Sequence, residues 1–127
     1  MGAPTTPSHA ELEILQALWA RGIATVREVH EDIQIHRAVG YTTTLKQIQR
    51  MEEKDLVEKV AADSRSHRYR AKLKPKRTRA ALLERLVNSA FAGSTSSLVL
   101  HALGRAKPNK QQIEEIRAVL DELDQDP

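Results

Sequence analysis

Thr42, Thr43, Lys46, Gln47 and Arg50 are spaced so that a helix would bring all five onto one face. That face would carry two hydroxyls, an ammonium, a carboxamide and a guanidinium. Such groups suit nucleic acid: Lys donates to guanine O6 and N7, Gln pairs with adenine, and Thr offers a hydroxyl to phosphate or base and a methyl to thymine. Each has a plainer alternative. Thr42 and Thr43 also suit a helix cap, Lys46 and Gln47 a solvated face, and Arg50 a backbone phosphate or an ion pair with an acid such as Glu53. Tyr41, at the head of the segment, either packs under the helix or donates to a phosphate.

A second group follows. Between residues 65 and 79 there are eight Lys/Arg and no acid, whereas the whole chain is only +3. Within that run Tyr69, Ala71 and Leu73 alternate with Arg68, Arg70 and Lys72, the period of a strand with one apolar face and one basic face. Arg65 and Arg68 are expected to reach flanking phosphates or the minor groove, with His67 assisting. The alternative is a strand and helix start kept soluble by charge.

The elements needed to position these groups are readable around them. Ser8 and Glu11 form a capping box ahead of Leu12, Leu15, Leu18 and Trp19, and Gly22 stops that helix. Ile23-Ala24 suits a short strand. Thr25 and Glu28 form a second capping box before a helix burying Val26, Val29 and Ile33. A third helix spans about Thr42 to Lys54 with Leu45 and Ile48 inward, and Val57 to Leu73 makes two strands joined by Asp63-Ser64-Arg65-Ser66. This order predicts a mainly α fold with a small β-hairpin: a winged helix-turn-helix over residues 1–74 that binds double-stranded DNA.

Residues 75–127 are helical by pattern. Leu82, Leu83, Leu86, Val87, Ala90 and Phe91 form a stripe ended by Gly93. Ser94 to Ser97 can cap a helix with Leu98, Leu100 and Leu103, and Pro108-Asn109 opens one with Ile113, Ile116, Leu120 and Leu123. Three such helices bury too little surface to stand alone. Their apolar faces call for the winged helix or, the reading favoured here, a second copy of the chain: a homodimer carrying two half-site readers.

Other classes find little support. The chain has no Cys, so disulfides, thiolate catalysis and cysteine metal clusters are excluded. Histidines at 9, 30, 36, 67 and 101 show no metal-ligand spacing, and His30-Glu31-Asp32 with His36 reads more simply as a polar helix face. No phosphate loop, nucleophile elbow or paired acids point to an enzyme, and neither a cofactor nor a resident metal is expected. With no membrane-length apolar run and no signal-type stretch after Met1 to Pro7, a cytoplasmic protein without direct membrane insertion is expected. The rival is a winged-helix protein-interaction module without specific DNA recognition. Such modules often lack the basic wing and polar third helix present here.

Glu11-Leu12-Glu13-Ile14-Leu15 through Leu18-Trp19, Tyr41-Thr42-Thr43 through Ile48, Arg50 and Met51, the Arg68-Tyr69 strand, and Ser97-Leu98-Val99-Leu100 followed by Ile113-Glu114-Glu115-Ile116 resemble, in the same order, the penicillinase-repressor family of BlaI and MecI type. The resemblance implies a dimeric repressor on palindromic operators, released when a membrane sensor-protease leads to cleavage in the dimerisation region. Where that family has Asn-Phe, this chain has His101-Ala102. The copper-responsive CopY-type relatives carry a cysteine motif that this chain lacks.

Overall fold

The first two helices each begin in a reciprocal cap. In α1 (His9–Arg21) the Glu11 N–H donates to Ser8 Oγ at 3.2 Å, and the Ser8 N–H donates to the Glu11 carboxylate at 2.8 Å. Gly22 ends α1 at φ 83°, a conformation that favours glycine, and its N–H donates to the Leu18 carbonyl at 2.7 Å. After β1 (Ala24–Thr25), the same exchange between Thr25 and Glu28 opens α2 (Val26–Gln34). The computed structural model describes residues 6–60 and 67–125.

The next helix, α3 (Tyr41–Glu53), starts at Gly40 without a side-chain cap. Packing holds it instead. Ile48 and Met51 are fully buried against Leu15, Leu18 and Val29, and Leu45 lies partly buried at the edge of that core. At its far end Lys54 Nζ lies 2.9 Å from the Glu11 carboxylate, joining the end of α3 to the start of α1. Both charges suit the helix dipoles beside them.

Asp55, at φ 68°, turns the chain into β2 (Val57–Val60), and β3 (Arg68–Ala71) returns beside it. The sheet is antiparallel in the order β1-β3-β2, so β3 is central, with Tyr69 between Ala24 and Lys59. The hairpin is thus part of a three-stranded sheet. Its first strand sits one residue later than the expected Ile23-Ala24, because Ala24 turns into the core while Ile23 stays 44% exposed. Asp63 to Ser66, expected to join the strands, lies outside the described residues.

Past Leu73, whose carbonyl accepts from Trp19 Nε1 at 2.8 Å, the chain enters α4 (Pro75–Ala90). Its first turns carry Arg79, 5.8 Å over the Trp19 ring, and buried Thr78, whose hydroxyl donates to the Lys74 carbonyl. The chain divides into two compact units, Met1–Leu82 and Leu83–Pro127. The second continues through α5 (Thr95–Arg105), capped by Ser94, and α6 (Lys110–Gln125), opened by a reciprocal Asn109–Gln112 exchange. Among its described residues only Val87 is buried.

Burial raises the Glu11 pKa, but the Ser8 N–H and the Lys54 ammonium outweigh it and hold the carboxyl below its ordinary 4.5. The Arg37 hydrogen bond does the same for Glu13, the Thr25 N–H for Glu28, and Arg21 for Asp32. Carboxyls held low in the folded state contribute stability above their unfolded pKa and lose it as pH falls through the lowered folded values. Stability to urea is therefore expected to hold from neutrality to about pH 5 and to fall below it. Glu11→Ala is expected to lower stability at pH 7 by about 1–2 kcal/mol and to flatten that acid loss.

Candidate nucleic-acid interface

With α3 pinned along Thr44, Ile48 and Met51, helical rotation turns the opposite side outward. Thr42, Thr43, Lys46 and Arg50 are exposed there and Gln47 is half-buried. Among the described residues none of these five side chains has a hydrogen bond or ion pair, and the pairing of Arg50 with Glu53 does not form. The face is a row of donors without internal partners. Arg68, the first residue of β3, and His67 just before it are both exposed, and His67 lines a cleft with the Tyr41, Leu45 and Gln49 side of α3. Arg65 lies outside the described residues.

The basic run is divided by the sheet. Arg70 Nε lies 2.6 Å from Glu58, its cross-strand neighbour, and Lys72 Nζ lies 2.8 Å from Asp55. Arg79 stacks on Trp19. Arg68, by contrast, makes no ion pair among the described residues. The strand also separates the charges, since a residue rises about 3.3 Å and Arg68 to Ala71 spans roughly 10 Å. Arg68 is exposed at the head of β3, and Lys74, Lys76 and Arg77 are exposed without an ion pair among the described residues, so the run does not act as one group of eight cations.

A cleft runs between α3 and the sheet, lined by Arg27, Tyr41, Gln49, Lys59 and His67, with Tyr69 at its floor. Burial pushes the Tyr69 phenol up, so it stays protonated. Arg27 was not singled out from sequence. It sits in the first turn of α2 with its guanidinium 5.5 Å over the Tyr41 ring and no carboxylate partner among the described residues. Its only sequence signal is its place beside the Thr25 cap. Tyr41 packs against α2, with an edge contact to His30, yet stays 41% exposed.

His30 itself is buried, with Nδ1 3.2 Å from Thr44 Oγ1, and Asp32 is engaged by Arg21. No group of three or more His, Cys, Asp or Glu among the described residues could hold a metal ion. None of the described helices is long and apolar enough to cross a membrane.

The second unit leaves its apolar side chains outward. Leu100 is 71%, Leu120 57%, Leu123 65% and Ile113 39% exposed, while Leu98, Leu103 and Ile116 are half-buried. His101 and Ala102 are exposed inside α5, and the His101 ring makes an edge contact with Phe91 at 5.7 Å.

Three helices with a three-stranded sheet whose hairpin flanks the third helix define a winged-helix protein. The fold is shared with solved structures, among them a MarR family protein from Bacillus stearothermophilus (TM-score 0.53, 22% identity, covering 97% of this chain and 75% of that one). The YusO protein from Bacillus subtilis gives a TM-score of 0.51 at 17% identity, over 94% of this chain and 76% of that one. Residues 7–122 match the penicillinase repressor family, and the chain belongs to it. It is 31% identical to the transcriptional regulator BlaI of Mycobacterium tuberculosis, over 98% of this chain and 89% of that protein. It is 22% identical to the penicillinase repressor of Staphylococcus aureus, over 91% of each.

Proposed function

We propose that this chain is a dimeric, sequence-specific DNA-binding repressor that acts in the cytoplasm on palindromic operators. The observation that carries this reading is the row of Thr42, Thr43, Lys46, Gln47 and Arg50, turned outward and without partners among the described residues, in the unit whose strand β3 exposes Arg68. Lys46 and Gln47 read base edges in the major groove. Thr42 and Thr43 meet base edges beside them through hydroxyl and methyl, while Arg50, Arg68 and His67 hold phosphates that set register and affinity, as does Arg65 if the wing carries it to the flank. Arg27, beside Tyr41 in the cleft, joins the phosphate group.

Dimerisation is supported by the second unit, whose one buried residue among those described cannot stabilise three helices. A second copy covering Leu98, Leu100, Leu103, Ile113, Ile116, Leu120 and Leu123 supplies the missing core and places two readers about a two-fold axis. If a membrane sensor-protease releases the repressor at His101-Ala102, α5 has to open first, since that bond lies within the helix.

The reading is tested by fluorescence-anisotropy titration of the full chain against the promoter duplex upstream of its own gene, with scrambled duplex as competitor and across a salt series. Gln47→Ala is expected to narrow the preference for the promoter by about 1–3 kcal/mol with the salt slope intact. Arg68→Ala is expected to weaken all duplexes alike and reduce the salt slope by about 1. The Glu58→Ala/Arg70→Ala double variant removes a neutral pair and is expected to leave the slope unchanged. Equal, weak binding of every duplex by the unmutated chain would overturn specific recognition.

Leu120→Glu/Leu123→Glu is expected to sediment as a monomer and to lose about 100-fold or more in operator affinity, because the second half-site is then no longer tethered to the first. A dimer in that variant would move the interface elsewhere.

A further inference from the structure

We infer that His30 is a positioning residue for the reading helix: it sets the rotation of the first turn of α3 and so the direction in which Thr42 and Thr43 point. The inference rests on the DNA-reading role proposed for α3. The turn nearest the proposed groove has little else to hold it. Its N-cap is Gly40, which offers no side-chain acceptor, and the fully buried apolar anchors, Ile48 and Met51, lie one to two turns further along.

In the first turn only Thr44 is buried, at 3% exposure, and its hydroxyl shares a 3.2 Å hydrogen bond with Nδ1 of His30, itself 9% exposed. The same imidazole meets Tyr41 edge-on, with centroids 5.6 Å apart and planes at 86°. Tyr41 and Thr44 lie three residues apart on one face and bracket Thr42 and Thr43, so a clamp on the outer pair decides where the inner pair faces.

The contact is directional in a way that apolar packing is not. A leucine at position 30 would fill the space yet let the turn rotate, since dispersion contacts vary slowly with angle, whereas a hydrogen bond weakens steeply away from linearity. Arg27, over the other part of the Tyr41 ring, restrains that ring from the same helix, α2. At the first turn of α3 the link to α2 therefore includes polar contacts that depend on relative orientation, while apolar packing on Val29 joins the helices further along.

The test compares His30→Leu, which keeps the volume, with His30→Gln, whose carboxamide can still reach the Thr44 hydroxyl, and with Thr44→Val, which removes the hydroxyl at constant shape. All are made in the full chain. Two quantities are read: hydrogen exchange without DNA at the Thr44 to Lys46 amides, the first that the turn's own carbonyls can protect, and selectivity for a duplex that the unmutated chain selects from random-sequence DNA over a scrambled duplex. His30→Leu and Thr44→Val are expected to speed exchange in that turn and to lose about tenfold in selectivity, the size of one base contact, with non-specific binding and salt slope unchanged. His30→Gln is expected to stay within about twofold of the unmutated chain.

Unmutated exchange and selectivity in either His30→Leu or Thr44→Val would overturn the assignment. So would equal losses in His30→Leu and His30→Gln, which would reduce His30 to a filler of volume. Should His30→Leu fail to fold, Thr44→Val carries the same comparison. If the unmutated chain selects no duplex, the DNA reading itself fails, and the exchange data alone decide whether His30 orients the turn.

Discussion

One face of α3 has to be buried for the other to be free, and the rest of the molecule is arranged around that requirement. Ile48 and Met51 are fully buried against α1 and α2, and Thr44 is nearly so. The five polar groups on the opposite side are then turned outward and make no hydrogen bond or ion pair among the described residues. The helix gains little from its own sequence at the start, where Gly40 caps nothing, so tertiary contacts supply the order that a cap supplies elsewhere. Glu11 and Lys54 complete the arrangement by fastening the end of α3 to the best-capped helix of the chain.

Charge is handled with the same economy of contacts. Acids and bases that serve the fold are paired at close range: Arg21 with Asp32 and Glu28, Arg37 with Glu13, Arg70 with Glu58, Lys72 with Asp55. Exposed pairs of this kind contribute little stability each. Their larger effect is to neutralise several cations away from α3, whereas Lys46 and Arg50 on its outer face make no ion pair among the described residues. A polyanion approaching that face of α3 meets unpaired charge together with hydrogen-bond donors.

The second unit poses the opposite problem. Its helices are well capped, by Ser94 and by the Asn109–Gln112 exchange, so each is locally well specified. Yet Leu100, Val119, Leu120 and Leu123 are all more than half exposed, and only Val87 among the described residues there is buried. Exposed apolar surface of this kind marks an interaction surface, and it is the surface that the proposed second copy would cover.

Sequence alone determined what depends on near neighbours. Capping boxes at Ser8/Glu11 and Thr25/Glu28, the stop at Gly22, the polar face of α3 and the alternation through Tyr69 are all set by residues within four positions of one another, and local geometry realises them as written. The winged-helix order followed from those pieces. Tertiary structure decided which side chains remain available once elements meet. His30, in a run that reads as a polar helix face, is drawn inward by Thr44, 14 residues away. Arg70 and Lys72, indistinguishable from Arg68 by pattern, are claimed by carboxylates 12 and 17 residues distant, Glu58 by strand register and Asp55 at the turn just before β2. Arg27 gains its place only when Tyr41 arrives beneath it. Periodicity reports the face on which a residue lies, but the partner it meets there is fixed by packing between elements, and partnership is what separates a free charge from a neutralised one.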